Sequence, residues 1–200
     1  APEAAVFTAV GLDHTQYLGD TVEKIAKTKA GVIKPGSRVV LYRQDENITE
    51  VIRKKCEECG VPLFISEPEK LKTVSVDTFS QTFEHPSLGR LEISLAGSYQ
   101  IRNAALAIKT VEVLNTIGYG ISAEAVREGL AETSWPGRVE VLSRNPLFVV
   151  DGAHNPHGMW AMAESLKRLF NGRRVTLIMG VLADKDYDEM LDIILPYADK

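Results

Sequence analysis

The sequence predicts an α/β protein, a mainly parallel sheet with antiparallel hairpins appended to it, organised in two successive parts. Three observations carry this expectation. The stretch from Arg38 to Ile65 reads strand, helix, strand, and a βαβ unit makes its two strands parallel. From Thr73 to Leu95 the texture changes: Val74, Val76, Phe79, Phe83, Leu91, Ile93 and Leu95 alternate with polar residues, as antiparallel hairpins do. Finally, the apolar run Leu147-Phe148-Val149-Val150 ends in Asp151-Gly152-Ala153-His154-Asn155-Pro156, and a helical pattern begins. In open α/β sheets ligands sit at such strand ends, and free N–H groups at a helix start favour anions.

In chain order, Ala5-Val6-Phe7-Thr8-Ala9-Val10 reads as a buried strand leading into Gly11-Leu12-Asp13-His14-Thr15. Asp20-Thr21-Val22-Glu23 is a capping-box pattern with the acid at the N-cap. In the helix that follows, Val22, Ile25, Ala26 and Ala30 share one face at 100° per residue. Lys24 and Lys27 point away from that face, but Lys29 falls in the middle of it. Either its ammonium snorkels to water past a thin edge, or it is desolvated and easily deprotonated, hence reactive. His14 is similarly open: a hydrogen-bonded histidine, or a group at the ligand end of a strand.

Arg38 to Tyr42 is the next strand, and a helix carrying Cys56 and Cys59 follows and stops at Gly60. Val61 to Ile65 closes the βαβ unit. The C-E-E-C pair lies at the end of its helix, and no further cysteine completes a zinc site, so it reads as packing. After the hairpins, Ala104 to Ile117 is an apolar helix with Asn103 as a plausible N-cap, while Gln100 has no local structural reason. Ser122 caps another helix, Ala123 to about Glu132. Trp135-Pro136-Gly137-Arg138 breaks the pattern and marks a domain boundary. Beyond it lie strands over Val139 to Leu142 and Leu147 to Val150. The next helix has Asn155 as its cap and Pro156 in its first turn. Val175 to Met179 reads as a further strand ending in Gly180 to Asp186, and Tyr187 to Leu195 as a last helix.

Composition narrows the function classes. With 44% hydrophobic and 25% charged residues the chain is an ordinary globular protein, and a net charge of −4 gives no electrostatic reason to expect nucleic acid. No apolar run approaches the roughly 18–20 residues that span a bilayer, and no signal peptide opens the chain, so the expected location is cytoplasmic. There is no G-x-x-x-x-G-K-[ST], no G-x-G-x-x-G after a strand, no G-x-S-x-G and no H-E-x-x-H.

Several short motifs fall in order: Gly11-Leu12-Asp13-His14-Thr15 with Tyr17-Leu18-Gly19-Asp20; Lys29-Ala30-Gly31-Val32-Ile33-Lys34; Gln100 with Asn103-Ala104; Trp135-Pro136-Gly137-Arg138; Asp151 to Pro156; and Gly180 to Asp186. Together they resemble folylpolyglutamate synthase / dihydrofolate synthase, of the Mur ligase superfamily. The resemblance implies that residues 1–136 are the C-terminal portion of an ATP-binding central domain. Residues 137–200 would be the N-terminal portion of a Rossmann-like glutamate ligase domain. It further implies an ATP-dependent ligase that adds L-glutamate to a folate or dihydropteroate carboxylate through an acyl phosphate, with ATP and Mg²⁺ as cofactors. The partners would be small molecules only, with no nucleic acid or membrane, and the protein a monomer.

By the same resemblance His14 matches a ligand of a second Mg²⁺, and Lys29 a lysine carbamylated beside that metal. Gln100 and Asn103 match residues near the nucleotide, and Arg138 an arginine reaching the ATP phosphates. Asp151 matches an acid near the ribose, and His154 and Asn155 line the same cleft. The Asp184-Lys185-Asp186 loop helps to shape the glutamate side. The family's phosphate-binding glycine loop is expected before Ala1 and the rest of its C-terminal domain after Lys200, so these 200 residues alone are expected to be inactive. The rival readings are another Mur-type amino acid ligase and a non-catalytic binding module.

Overall fold

Three short strands, β1 (Ala4–Phe7), β2 (Arg38–Leu41) and β3 (Leu63–Ile65), pair in parallel in chain order, Ala5 opposite Val39 and Val40 opposite Phe64. The computed structural model describes residues 1–12 and 19–199. Helices α1 (Val22–Lys29) and α2 (Glu46–Cys59) make the crossovers that parallel pairing requires. The strand period of two divides the core. Val39 and Leu41 face Ile52 and Cys56 of α2, whereas Val40 and Tyr42 face Leu106 and Val113 of α3 (Gln100–Asn115). A strand covered on both faces has no polar side, which is why β2 reads as an unbroken apolar run.

The alternating stretch forms β4 (Lys72–Val76), β5 (Gln81–His85) and β6 (Gly89–Ile93), an antiparallel meander as the pattern implied. It is a separate three-stranded sheet rather than an extension of the parallel one. Its inward residues Phe83, Leu91 and Ile93 bury themselves against Ile101, Ala104 and Ile108 of α3 and Leu130 of α4 (Ala123–Ala131). Helix α3 therefore serves two cores, one toward each sheet.

The C-terminal part is an antiparallel hairpin, β7 (Glu140–Arg144) and β8 (Leu147–Val150), packed with α5 (Pro156–Leu169) and α6 (Tyr187–Ile194). Met190 and Ile194 of α6 have no exposed surface and meet Met159, Ala163 and Leu166 of α5. The expected strand at Val175 to Met179 does not form. Val175, Leu177 and Met179 pack inward and Ile178 is 84% exposed, so the segment is extended. A strand also needs a ladder partner, and among the described residues this segment has none. The loops after Asp151 and around Asp184 thus do not leave neighbouring strands of one sheet.

Two helix starts also differ from expectation. The N-cap of α1 is Thr21, whose hydroxyl accepts from the Lys24 N–H at 3.2 Å, while Asp20 lies one residue earlier and pairs with the Lys24 ammonium. Helix α3 begins three residues before Asn103. Gly97, at φ +102°, turns the chain so that its carbonyl accepts from the Gln100 N–H. That satisfies a first-turn donor without a side-chain cap. By contrast Ser122, Asn155 and Gly60 act as their local sequence implied, the last at φ +63°. Cys56 is buried in the core and both cysteines are free; burial pushes the Cys56 thiol up to about 11, which keeps it inert. No helix among the described residues is long and apolar enough to cross a membrane.

Candidate active site

The chain leaves β1 and β2 on the same side of the parallel sheet, and there a cavity of about 910 Å³ opens. Val10 and Gly11 follow β1, and Tyr42 to Asp45 follow β2. The opposite wall is the start of α5 (Asn155 to Glu164) with the Asp184 to Asp186 loop. Both parts of the chain therefore build it. They touch closely: a Cβ on Gly11 would lie 2.9 Å from His157 Cγ. Ser98 also donates through its N–H to Ser165 Oγ and through its hydroxyl to Glu164, each at 3.3 Å.

The cavity is electrically divided. On the sheet side Arg102 lies over the Tyr42 ring at 5.1 Å and donates to the Arg43 carbonyl at 3.2 Å. Burial pushes the Tyr42 phenol up, and Arg102 offsets part of that. Gln44 accepts from the Val10 N–H at 2.9 Å, while its Nε2 is buried with no partner among the described residues, a donor set in the wall. On the other side stand Glu164, Asp184, Asp186 and Glu189, so the lining holds five carboxylates against three arginine and lysine side chains. Such a cleft suits a ligand with anionic and cationic ends.

A second cluster adjoins it through Tyr99, which lines the cavity. Burial first, and then the negative charge of Asp151, push its phenol up to about 12; Arg138 and a hydrogen bond from Gln100 act in the other direction. Gln100, only 4% exposed, also accepts from Asn103 Nδ2 at 3.0 Å. Asp151 is turned onto its own chain: Oδ2 accepts from the Val139 N–H at 2.9 Å and Oδ1 from the Ala153 N–H at 2.8 Å. Gly152 N–H donates to the Gly137 carbonyl at 2.7 Å, and Gly137 N–H to Glu140 at 2.7 Å. Arg138, in this turn, is exposed. Val139 is 2% exposed and stands at φ +48°, a left-handed conformation that costs a β-branched residue about 1–2 kcal/mol.

The sequence-derived residues thus divide. Gln100, Asn103, Arg138 and Asp151 gather around Tyr99, and Asn155 lines the cavity while capping α5 through Gly158 N–H at 2.7 Å. His154 is exposed, and its Nδ1 donates to the Gly152 carbonyl at 2.8 Å. His14 lies outside the described residues. Lys29 is exposed, contrary to the burial its place in the apolar stripe implied. Helix α1 ends at this residue and tightens into a 3-10 turn (Ala30–Val32), so Ala30 turns into the core and Lys29 stays outside. Lys29 is also seven residues, about 10 Å along the axis, from Val22, the α1 residue that meets the cavity.

Sequence reasoning missed Tyr42 to Asp45, although they leave the first strand of the βαβ unit, central in the parallel sheet, at its ligand-binding end. It also missed Trp160 and Glu164, which occupy the face of α5 opposite Met159, Ala163 and Leu166 and so were legible from the helical period.

Comparison with known proteins adds two matches. Residues 137–200 match the Mur ligase glutamate ligase domain, and residues 1–111 the Mur ligase middle domain. The chain is 38% identical over 197 residues to folylpolyglutamate synthase of Lacticaseibacillus casei, covering 96% of this chain and 46% of that protein. It is 36% identical to dihydrofolate synthase/folylpolyglutamate synthase of Bacillus subtilis, over 95% of this chain and 46% of the relative. Among solved structures, an FPGS–AMPPCP–folate complex aligns with a TM-score of 0.88 at 35% identity, over 100% of this chain and 50% of that one. Mycobacterium tuberculosis folylpolyglutamate synthase complexed with ADP aligns at 0.85 and 29%, over 99% of this chain and 46% of that one. The chain spans about half the length of the curated relatives it matches.

Proposed function

The chain belongs to the Mur ligase family, and from that premise we propose that the protein carrying it is an ATP-dependent ligase. It adds L-glutamate to the carboxylate of a folate or dihydropteroate through an acyl phosphate. Residues 1–136 are read as part of the ATP-binding central domain and residues 137–200 as part of the glutamate ligase domain. The observation that carries the reading is the cavity of about 910 Å³ lined from both of these parts. A ligase must bring a nucleotide, an acceptor and an amine into line, and a cleft between two parts does so. We place the reaction in the cytoplasm, in a monomer whose partners are small molecules.

ATP, when bound, supplies the phosphoryl group that activates the carboxylate. The chain's own groups suit that ligand. Arg138 is a permanent cation for phosphate oxygens, and Gln100, Asn103 and Asn155 offer amides toward the nucleotide. Asp151 and His154 belong to the same wall. The carboxylates of Glu164, Asp184, Asp186 and Glu189 suit the ammonium of the incoming amino acid.

Mg²⁺ is assigned to His14 and Lys29 by resemblance. Among the described residues no group of three or more His, Cys, Asp or Glu side chains could hold a metal ion. Carbamylation of Lys29 likewise rests on the resemblance, since its exposure supplies no desolvation.

The deciding experiment measures ATP-dependent incorporation of labelled L-glutamate by the intact protein. It offers dihydropteroate, tetrahydrofolate and a UDP-muramyl acceptor in parallel. Incorporation into a pterin acceptor is expected. Incorporation into the muramyl acceptor alone, or into none, would overturn the proposal.

A further inference from the structure

We propose that Asp151 is a positioning residue for Arg138, holding the backbone on both sides of that arginine so that its guanidinium projects toward the phosphate side of the cleft. The inference rests on the ligase reading above, and it differs from a direct contact of Asp151 with the nucleotide's ribose.

Arg138 lies between two peptide groups, and both are tied to the Asp151-Gly152 turn. The peptide before it is held through the Gly137 carbonyl, which accepts from the Gly152 N–H at 2.7 Å. The peptide after it is held through the Val139 N–H, which donates to Asp151 Oδ2 at 2.9 Å. Gly137 is further pinned by its own N–H on Glu140, also at 2.7 Å, and takes φ +70°, which glycine adopts freely. With both flanking peptides fixed, the direction of the Arg138 Cα–Cβ bond is fixed, and only side-chain torsions remain.

The backbone here does not hold this shape by itself. Val139 is β-branched yet stands at φ +48°, and its side chain is committed to the C-terminal core beside Ala96. It also packs onto Gly97, where a Cβ would come within 3.3 Å of Val139 Cγ2. Relaxing φ would pull Val139 out of that core or detach its N–H from the carboxylate. The other carboxylate oxygen, on Ala153 N–H at 2.8 Å, keeps Asp151 from swinging away. Asp151 therefore spends both oxygens on the turn that carries the arginine. A carboxylate suits this role because each of its oxygens accepts from a different backbone N–H, whereas the amide of an asparagine would set an NH2 donor against one of them.

The test is a double-mutant cycle in the intact protein, with ATP and adenosine affinities measured by calorimetry for wild type, Asp151→Asn, Arg138→Ala and the double variant. Wild-type binding of ATP is the first readout, and its absence would overturn the ligase reading beneath the inference. Given ATP binding, Asp151→Asn is expected to weaken ATP roughly tenfold with Arg138 present and to have little further effect in the Arg138→Ala background. Adenosine affinity should stay unchanged throughout. Equal losses in both backgrounds, or a loss of adenosine affinity, would overturn the inference while leaving the ligase reading intact.

Gly152→Ala provides an independent perturbation that leaves the carboxylate in place. Its Cβ would meet the Gly137 carbonyl at 3.2 Å and press on the other tether. The same ATP-specific, Arg138-dependent loss is expected, and unchanged ATP affinity in this variant would count against the proposal even if Asp151→Asn does not fold.

Discussion

Gly11 and His157 meet across the cleft at a distance that leaves no room for a methyl group. A Cβ on Gly11 would lie 2.9 Å from His157 Cγ and 3.0 Å from its Cβ. The loop after β1 and the first turn of α5 are therefore in direct contact, and both line the cavity. Gly11→Ala is expected to cost about 1–3 kcal/mol, as overpacking does. His157→Ala in the same molecule should recover most of that loss in urea denaturation. An additive double variant would show that the clash is absorbed elsewhere.

Phe83 and Phe148 test the division between core and surface. Phe83 has no exposed surface and is packed between the antiparallel sheet and α3. Its replacement by alanine should cost about 3–5 kcal/mol. Phe148 points outward from β8 and is 49% exposed, so Phe148→Ala should cost about 1 kcal/mol or less. Denaturant midpoints of the two variants would check the ranking.

Asn155 combines a helix cap with a place in the cavity wall. An aspartate in its place would cap equally well, and its charge suits the positive end of the α5 dipole. Asn155→Asp should therefore leave the melting temperature nearly unchanged. The same charge would repel an anionic ligand, so ATP affinity in the intact protein should fall by roughly tenfold, about what a 1.4 kcal/mol repulsion produces. Unchanged ATP affinity would argue that the helix start does not face the phosphates.

His85 makes stability depend on pH. Burial holds its imidazole below the usual histidine value; Glu112 opposes this and Lys109 reinforces it. Its Nδ1 accepts from the Ser87 and Leu88 N–H groups, each at 3.3 Å, which also requires the neutral ring. A depressed folded-state pKa means the unfolded chain takes the proton first as pH falls. Stability from this group is thus fully present above the ordinary histidine range and is lost as pH drops below about 6.5 toward the folded value. His85→Asn keeps an acceptor near the Nδ1 position but cannot be protonated. Its denaturation midpoint should change less between pH 7 and pH 5 than that of the wild type.

Much of this architecture is written locally. The apolar run of β2 and the cysteine-bearing helix after it dictate a parallel crossover, because only a buried strand can be apolar on both faces. Ser122, Asn155 and Gly60 act through bonds or dihedrals confined to a few residues, so local reading finds them. The short motifs from Gly11 to Asp186 are likewise local strings, and they named the family before any contact was known.

What local reading could not supply is what packs against what. Lys29 lies in an apolar stripe by angle, yet the helix ends under it and leaves it outside. Val175 to Met179 has the residues of a strand, but a strand is a relation between two segments, and no described segment pairs with it. Asp151 reads as an acid at a strand end, and nothing nearby in sequence says that its oxygens are taken by Val139 and Ala153. The sequence alone determined most of the elements, several of their caps and the family. The tertiary structure decided which side chains face the cleft and which support it, because burial and long-range hydrogen bonds depend on neighbours that are distant along the chain.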